Sequence, residues 1–62
     1  MNAQEFRDAL SRLGLTEARA AEMLGVNIRT VQRYKAGEWP VPKQTADNIL
    51  MRLELAGWPI HS

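Results

Sequence analysis

Residues 16–37, TEARAAEMLGVNIRTVQRYKAG, carry two short helix-forming runs divided by a glycine. Thr16 is a competent N-cap with Glu17 behind it in the first turn, and Ala20, Met23 and Leu24 fall on one side of the run that follows. A second run opens after Asn27, another competent cap, and continues to Ala36 with Val31 and Tyr34 turned inward. Only Gly25, Val26 and Asn27 separate the two, so these helices must cross steeply. Backbones that approach so closely need a small residue on the first helix, and Ala21, four before Gly25, meets that need. Gly25 enters the left-handed region with no Cβ penalty and ends the first helix there. Val26 and Val31 then anchor the second helix against Ala20 and Leu24.

A small residue, a glycine four later, an apolar residue next and another five beyond make up helix-turn-helix spacing. The outward face of the second helix carries Ile28, Arg29, Gln32, Arg33 and Ala36, placed together by their i, i+3 and i+4 separations. Arginine and glutamine suit bidentate readout of guanine and adenine edges, and isoleucine can meet a thymine methyl. No acidic residue lies between Asn27 and Gly37. A solvated helix face would account for two arginines, but not for their coincidence with this turn and with a run free of Asp and Glu.

Outward from this segment the pattern stays helical. Asn2, with Glu5 three residues on, predicts an N-terminal capping box for a helix over residues 3–13, whose stripe is Phe6, Leu10 and Leu13. Gly14, Gly25, Gly37 and Gly57 each follow a helix-periodic stretch. Trp39-Pro40-Val41-Pro42 cannot continue a helix. A fourth helix is predicted over residues 43–56 with Pro42 at N1, and Ala46, Ile49, Leu50 and Leu53 covering the core. Nothing alternates with period two. The expected fold class is all-α, a single domain over residues 1–62 with four helices, or five if the tail adds one.

Composition narrows the function. The chain has 62 residues and a net charge of +1. Residues 1–25 carry Arg7, Arg12 and Arg19 against Glu5, Asp8, Glu17 and Glu22; residues 26–45 carry Arg29, Arg33, Lys35 and Lys43 against Glu38 alone. The remainder carries Arg52 against Asp47 and Glu54. Positive charge is thus concentrated where an electrostatic footprint on DNA would lie. With no cysteine and one histidine, His61, a thiolate metal site and a disulfide framework are excluded, and a cytoplasmic setting is expected. The start MNAQEFRD does not read as a signal peptide, and no stretch approaches the ~20 apolar residues of a membrane span. Neither a Ser–His or Cys–His pair nor a glycine-rich phosphate loop is present, so an enzyme is not expected, nor a cofactor or small-molecule ligand.

The run LGLTEARAAEMLGVNIRTVQRYKAGEWPVP, residues 13–42, resembles the DNA-binding domain of lambda-repressor-like regulators of the Cro and xenobiotic-response-element type. The likeness extends over residues 3–55. It rests on the Leu-Gly-Leu opening, the Ala-Ala…Leu-Gly-Val turn and the Thr-Val-x-Arg-aromatic helix closed by glycine. The resemblance implies that Asn27, Ile28, Arg29, Gln32 and Arg33 face the major groove. It also implies that Thr30 and Lys35 approach phosphates, and that the loop of residues 38–43, including Lys43, lies near the backbone. One departure stands out. The family often has Gln where this chain has Glu17, and a carboxylate cannot donate to a phosphate. Thr16 and the helix N-terminal amides take that role, or Arg19 does, or the helix stands off from the DNA.

Two features remain. Met51, Leu55, Trp58 and Ile60 form a second apolar set that one small core cannot easily bury with the first. Either Trp58 and Ile60 fold back over the bundle, or the set forms a two-fold dimer contact. A chain this short hides only ~60% of its unfolded surface, which favours the dimer as the added source of stability. Trp39 is read as a loop anchor on Tyr34 or the fourth helix, or as a partner or backbone contact. The expected function is a homodimeric transcription repressor on an inverted-repeat DNA operator. A protein-interaction module on the same scaffold is the alternative, favoured by Glu17. RNA binding is weaker still, because no aromatic stacking face is evident.

Overall fold

Polar caps start the first three helices in a computed structural model of the chain, which describes residues 1–58. Helix α1 (Ala3–Leu13) opens with the expected capping box: Glu5 N–H donates to Asn2 Oδ1 at 2.8 Å, and Asn2 N–H donates to Glu5 Oε1 at 3.0 Å. Helix α2 (Glu17–Leu24) opens with Arg19 N–H donating to Thr16 Oγ1 at 3.2 Å. Helix α3 (Ile28–Ala36) opens with Arg29 N–H donating to Asn27 Oδ1 at 2.8 Å. Each such cap typically contributes about 1 kcal/mol.

Helix α4 (Lys43–Leu55) starts differently, with no side-chain cap. Pro42 is the N-cap and not N1: its ψ of 150° is extended, while its carbonyl already accepts from Ala46 N–H at 2.9 Å. The helix also stops one residue sooner than predicted, with Ala56 as its C-cap.

All four helices close alike. The N–H groups of Leu15, Val26, Glu38 and Trp58 reach back to the carbonyls of Leu10, Ala21, Arg33 and Leu53 at 2.9–3.0 Å. Each such bond follows a left-handed glycine, the Schellman arrangement that satisfies carbonyls at a helix end. At Gly25 the requirement is purely conformational, since φ is 69° and no atom lies within 4 Å of where a Cβ would stand. At Gly37 the chain also passes close to the start of α1, where an added Cβ would stand 3.5 Å from that of Ala3.

Helices α1 and α3 pack against each other at the centre, with α2 against α3 and α4 against α1. Phe6, Val31 and Ile49, one each from α1, α3 and α4, are the largest fully buried side chains. Ala20 and Ala21 bring α2 into the same cluster, small enough for the close crossing that the three-residue turn demands. Leu10, Tyr34, Ala46 and Leu53 complete the expected core, with Leu13, Leu24, Val26 and Leu50 at its margin. Two buried residues escape the periodicity argument: Ala9, and Val41 in the Pro40–Pro42 loop. The aromatic partner of Tyr34 is Phe6, edge to face at 5.5 Å and 75°. Trp39 instead remains 46% exposed. The described chain is all-helical, and no helix in it is long and apolar enough to cross a membrane.

Candidate nucleic-acid interface

Because α3 buries Val31 and Tyr34, its opposite side, with Arg29, Gln32, Arg33 and Ala36, is turned outward. Ile28, Arg29, Gln32, Arg33 and Ala36 are all exposed, on a helix about 13 Å long. Ile28 is 41% exposed at the first helical position, where a large apolar side chain gains little from the fold itself. No salt bridge neutralises Arg29 or Arg33 among the described residues. Arg33 places its guanidinium carbon 4.4 Å from the centroid of the Trp39 ring.

The sequence left the orientation of Glu17 open, and its actual partners lie on α3. Its carboxylate accepts from Lys35 Nζ at 3.0 Å and from Gln32 Nε2 at 3.3 Å, tying the first turn of α2 to the outer side of α3. Lys35, expected near a phosphate, is therefore held in an ion pair with about a third of its side chain exposed. Gln32 is held by one amide hydrogen, which leaves its other N–H and its carbonyl oxygen available outward. Neither link was legible, because the partners lie 15 and 18 residues from Glu17 and meet only once α2 and α3 cross.

The remaining expected contacts differ in their surroundings, and Arg19 lies beside Gly14, Leu15 and Arg52 rather than against α3. Asn27 uses its side-chain oxygen as a cap and keeps its amide hydrogens free. Thr16 likewise accepts at its hydroxyl oxygen and retains a proton to donate. Thr30 is half-buried and Arg19 is exposed. Lys43 pairs with Asp47 at 3.2 Å on an open surface, a link worth little. Arg7 Nη1 donates to the Lys35 carbonyl, which places a cation of α1 at the C-terminal pole of α3.

The hydrogen bond from Lys35, then that from Gln32, hold the Glu17 carboxyl below the usual glutamate range, against a smaller opposing effect of partial desolvation. A carboxyl whose folded-state pKa is lowered adds stability at neutral pH, complete above the ordinary glutamate range and lost as pH falls through the lowered value. The melting temperature of the wild type should exceed that of Glu17→Gln near neutrality, and the gap should close in acid. A gap that persists unchanged into strong acid would remove the pair from the stability of the α2–α3 crossing.

The dimer candidates lie elsewhere. Met51 and Leu55, one turn apart on α4, are 53% and 80% exposed. Leu55 borders a shallow groove of about 360 Å³ lined by Leu13, Leu15, Met23, Arg52 and Ala56. Trp58 leans back toward α1, with Arg12 5.2 Å from its ring centroid. Ile60 and His61 lie outside the described residues. Comparison with protein families, with curated proteins and with solved structures finds no match to this chain.

Proposed function

We propose that this protein is a sequence-specific double-stranded-DNA-binding transcription regulator of the lambda-repressor-like, helix-turn-helix kind, acting as a homodimeric repressor. The observation that carries the reading is the exposed face of α3. It gathers Ile28, Arg29, Gln32 and Arg33 on a short helix braced by α2, α1 and its own two caps, with no acidic residue from 27 to 37. Inserted in a major groove, Arg29 and Arg33 suit guanine edges, Gln32 an adenine edge and Ile28 a thymine methyl. Asn27 sits at the N-terminal end of the same face. Thr16, Arg19, Thr30 and Lys43 are the residues assigned to phosphates, which set register and carry no sequence information. Lys35 would meet a phosphate with the ammonium donors that Glu17 does not take. Occupying a promoter is sufficient for repression and requires no cofactor, and an operator beside the regulator's own gene makes that repression autoregulatory.

Arg29→Ala tests the assignment. It should cost about 1–3 kcal/mol on the preferred duplex and relax the preference at one base pair, while binding to random duplex changes little. Fluorescence anisotropy titrations against a set of single-base-pair variants read both effects. Unchanged affinities on every duplex would place Arg29 outside the groove.

The Glu17–Lys35 pair favours a second reading, because it cancels one of the positive charges on this face. On that reading the scaffold is a protein-interaction module. Retention on a DNA column that is lost as salt rises supports DNA binding, and passage through the column at low salt supports the module.

A further inference from the structure

We propose that Trp39 is a specificity-positioning residue: it shelves the Arg33 guanidinium so that the paired N–H donors of Arg33 are presented, already ordered, to a guanine. The inference rests on the DNA-binding reading above and goes further, by assigning the guanine preference to a two-residue unit.

The chain is built to bring these side chains together. Gly37 turns left-handed, and Glu38 N–H donates to the carbonyl of Arg33 itself at 3.0 Å. Residue 39 thereby comes back alongside the turn that bears Arg33. Pro40 then restricts Trp39 to extended backbone, and the buried Val41 pins the loop to the core two residues on. Held from both sides, the indole lies 4.4 Å from the guanidinium carbon, well inside the ~6 Å reach of a cation–π contact.

Trp39 adds little to the fold for its size. It is 46% exposed and belongs to no buried cluster. At 4.4 Å from the guanidinium carbon, its ring is placed to cover one face of a planar cation. Guanidinium donors lie in the plane of the group, so a stacked arginine keeps its edge free while its rotamers are restricted. That edge fits two acceptors side by side, which guanine offers as O6 and N7 in the major groove. An unshelved arginine would have to be ordered at the moment of binding.

The test uses the full chain and a duplex selected by the wild type from a random pool, with 7-deazaguanine, which lacks the N7 acceptor, placed at each guanine in turn. The wild type should lose affinity about tenfold at one guanine. In Trp39→Ala that single loss should shrink to within about twofold, with the salt dependence of binding kept. Trp39→Phe should restore it. Arg33→Lys should abolish it, and adding Trp39→Ala to that background should change nothing further. Trp39→Leu, which keeps apolar bulk without a π face, should behave as Trp39→Ala and serves if the alanine variant melts early.

A guanine preference that survives in Trp39→Ala and Trp39→Leu overturns the proposal and leaves the DNA reading intact. A uniform fall on every duplex, with no guanine singled out, also overturns it and assigns the stack to a phosphate. A wild type that selects no duplex overturns the DNA reading, and this inference with it.

Discussion

Replacing Phe6 by alanine should leave the chain largely unfolded at 25 °C. Phe6 is wholly buried and shares its cluster with Val31 and Ile49, so three of the four helices converge on it. Its ring also meets Tyr34 edge to face, which adds about 0.5–1.5 kcal/mol beyond area burial. Truncating a buried phenylalanine costs about 3–5 kcal/mol. A single core of this size supplies about the same amount in total. The variant should therefore lose most of its helical circular dichroism, and the lost helix should return under a stabilising osmolyte such as trimethylamine N-oxide. Phe6→Leu keeps much of the volume and should fold with a lowered urea midpoint. Native helicity and a wild-type midpoint in Phe6→Ala would show that the cluster is not the seat of the stability.

The effect reaches the candidate interface. Phe6 supports the inner side of α3 through Tyr34, and Arg7, its neighbour on α1, caps the end of the same helix. The outward face of α3 keeps its orientation only while α1 is packed behind it.

The helix boundaries were legible because local chemistry sets them. Asn2, Thr16 and Asn27 are good caps in isolation, and a glycine after a periodic run closes a helix wherever it occurs. Where that signal is weak the reading slipped, as at Pro42, which starts α4 with no side-chain cap. Ala9 and Val41 were missed for a related reason. Alanine gives a faint periodic signal, and Val41 lies between prolines, where no period exists to be read.

The face of α3 was likewise legible from spacing alone, but the pairs that constrain it were not. Glu17 with Lys35 and Arg33 with Trp39 depend on how α2 crosses α3 and how the chain returns after Gly37. Both are tertiary facts. Trp39 meets Arg33 for the same reason: the loop after Gly37 turns the indole toward that guanidinium, while the ring paired with Tyr34 is that of Phe6.

Leu55→Glu should lower affinity for a full operator by about 10²–10⁴-fold while leaving affinity for a half-site unchanged. The domain measures 28 × 20 × 18 Å, less than the 34–36 Å that separates successive major grooves on one side of a duplex. On the proposed reading one copy presents one α3 to one groove, and two copies related by a two-fold axis present two. The operator expected of such a pair is an inverted repeat with half-site centres about 10–10.5 base pairs apart, or a multiple of that spacing. Met51 and Leu55 are the exposed apolar ridge on α4, and the groove of Leu13, Leu15 and Met23 beside Leu55 is a surface that a second copy can fill. Trp58 stands at the end of that ridge, tied to α4 by its bond to the Leu53 carbonyl. Since Leu55 is 80% exposed, a charge there should leave the isolated domain folded, and any loss belongs to association. The wild type should melt at a temperature that rises with protein concentration, and Leu55→Glu should lose that dependence. Sedimentation at micromolar concentration should show a dimer for the first and a monomer for the second. A wild type that sediments as a monomer both free and on the inverted repeat would end the proposal of a two-fold assembly.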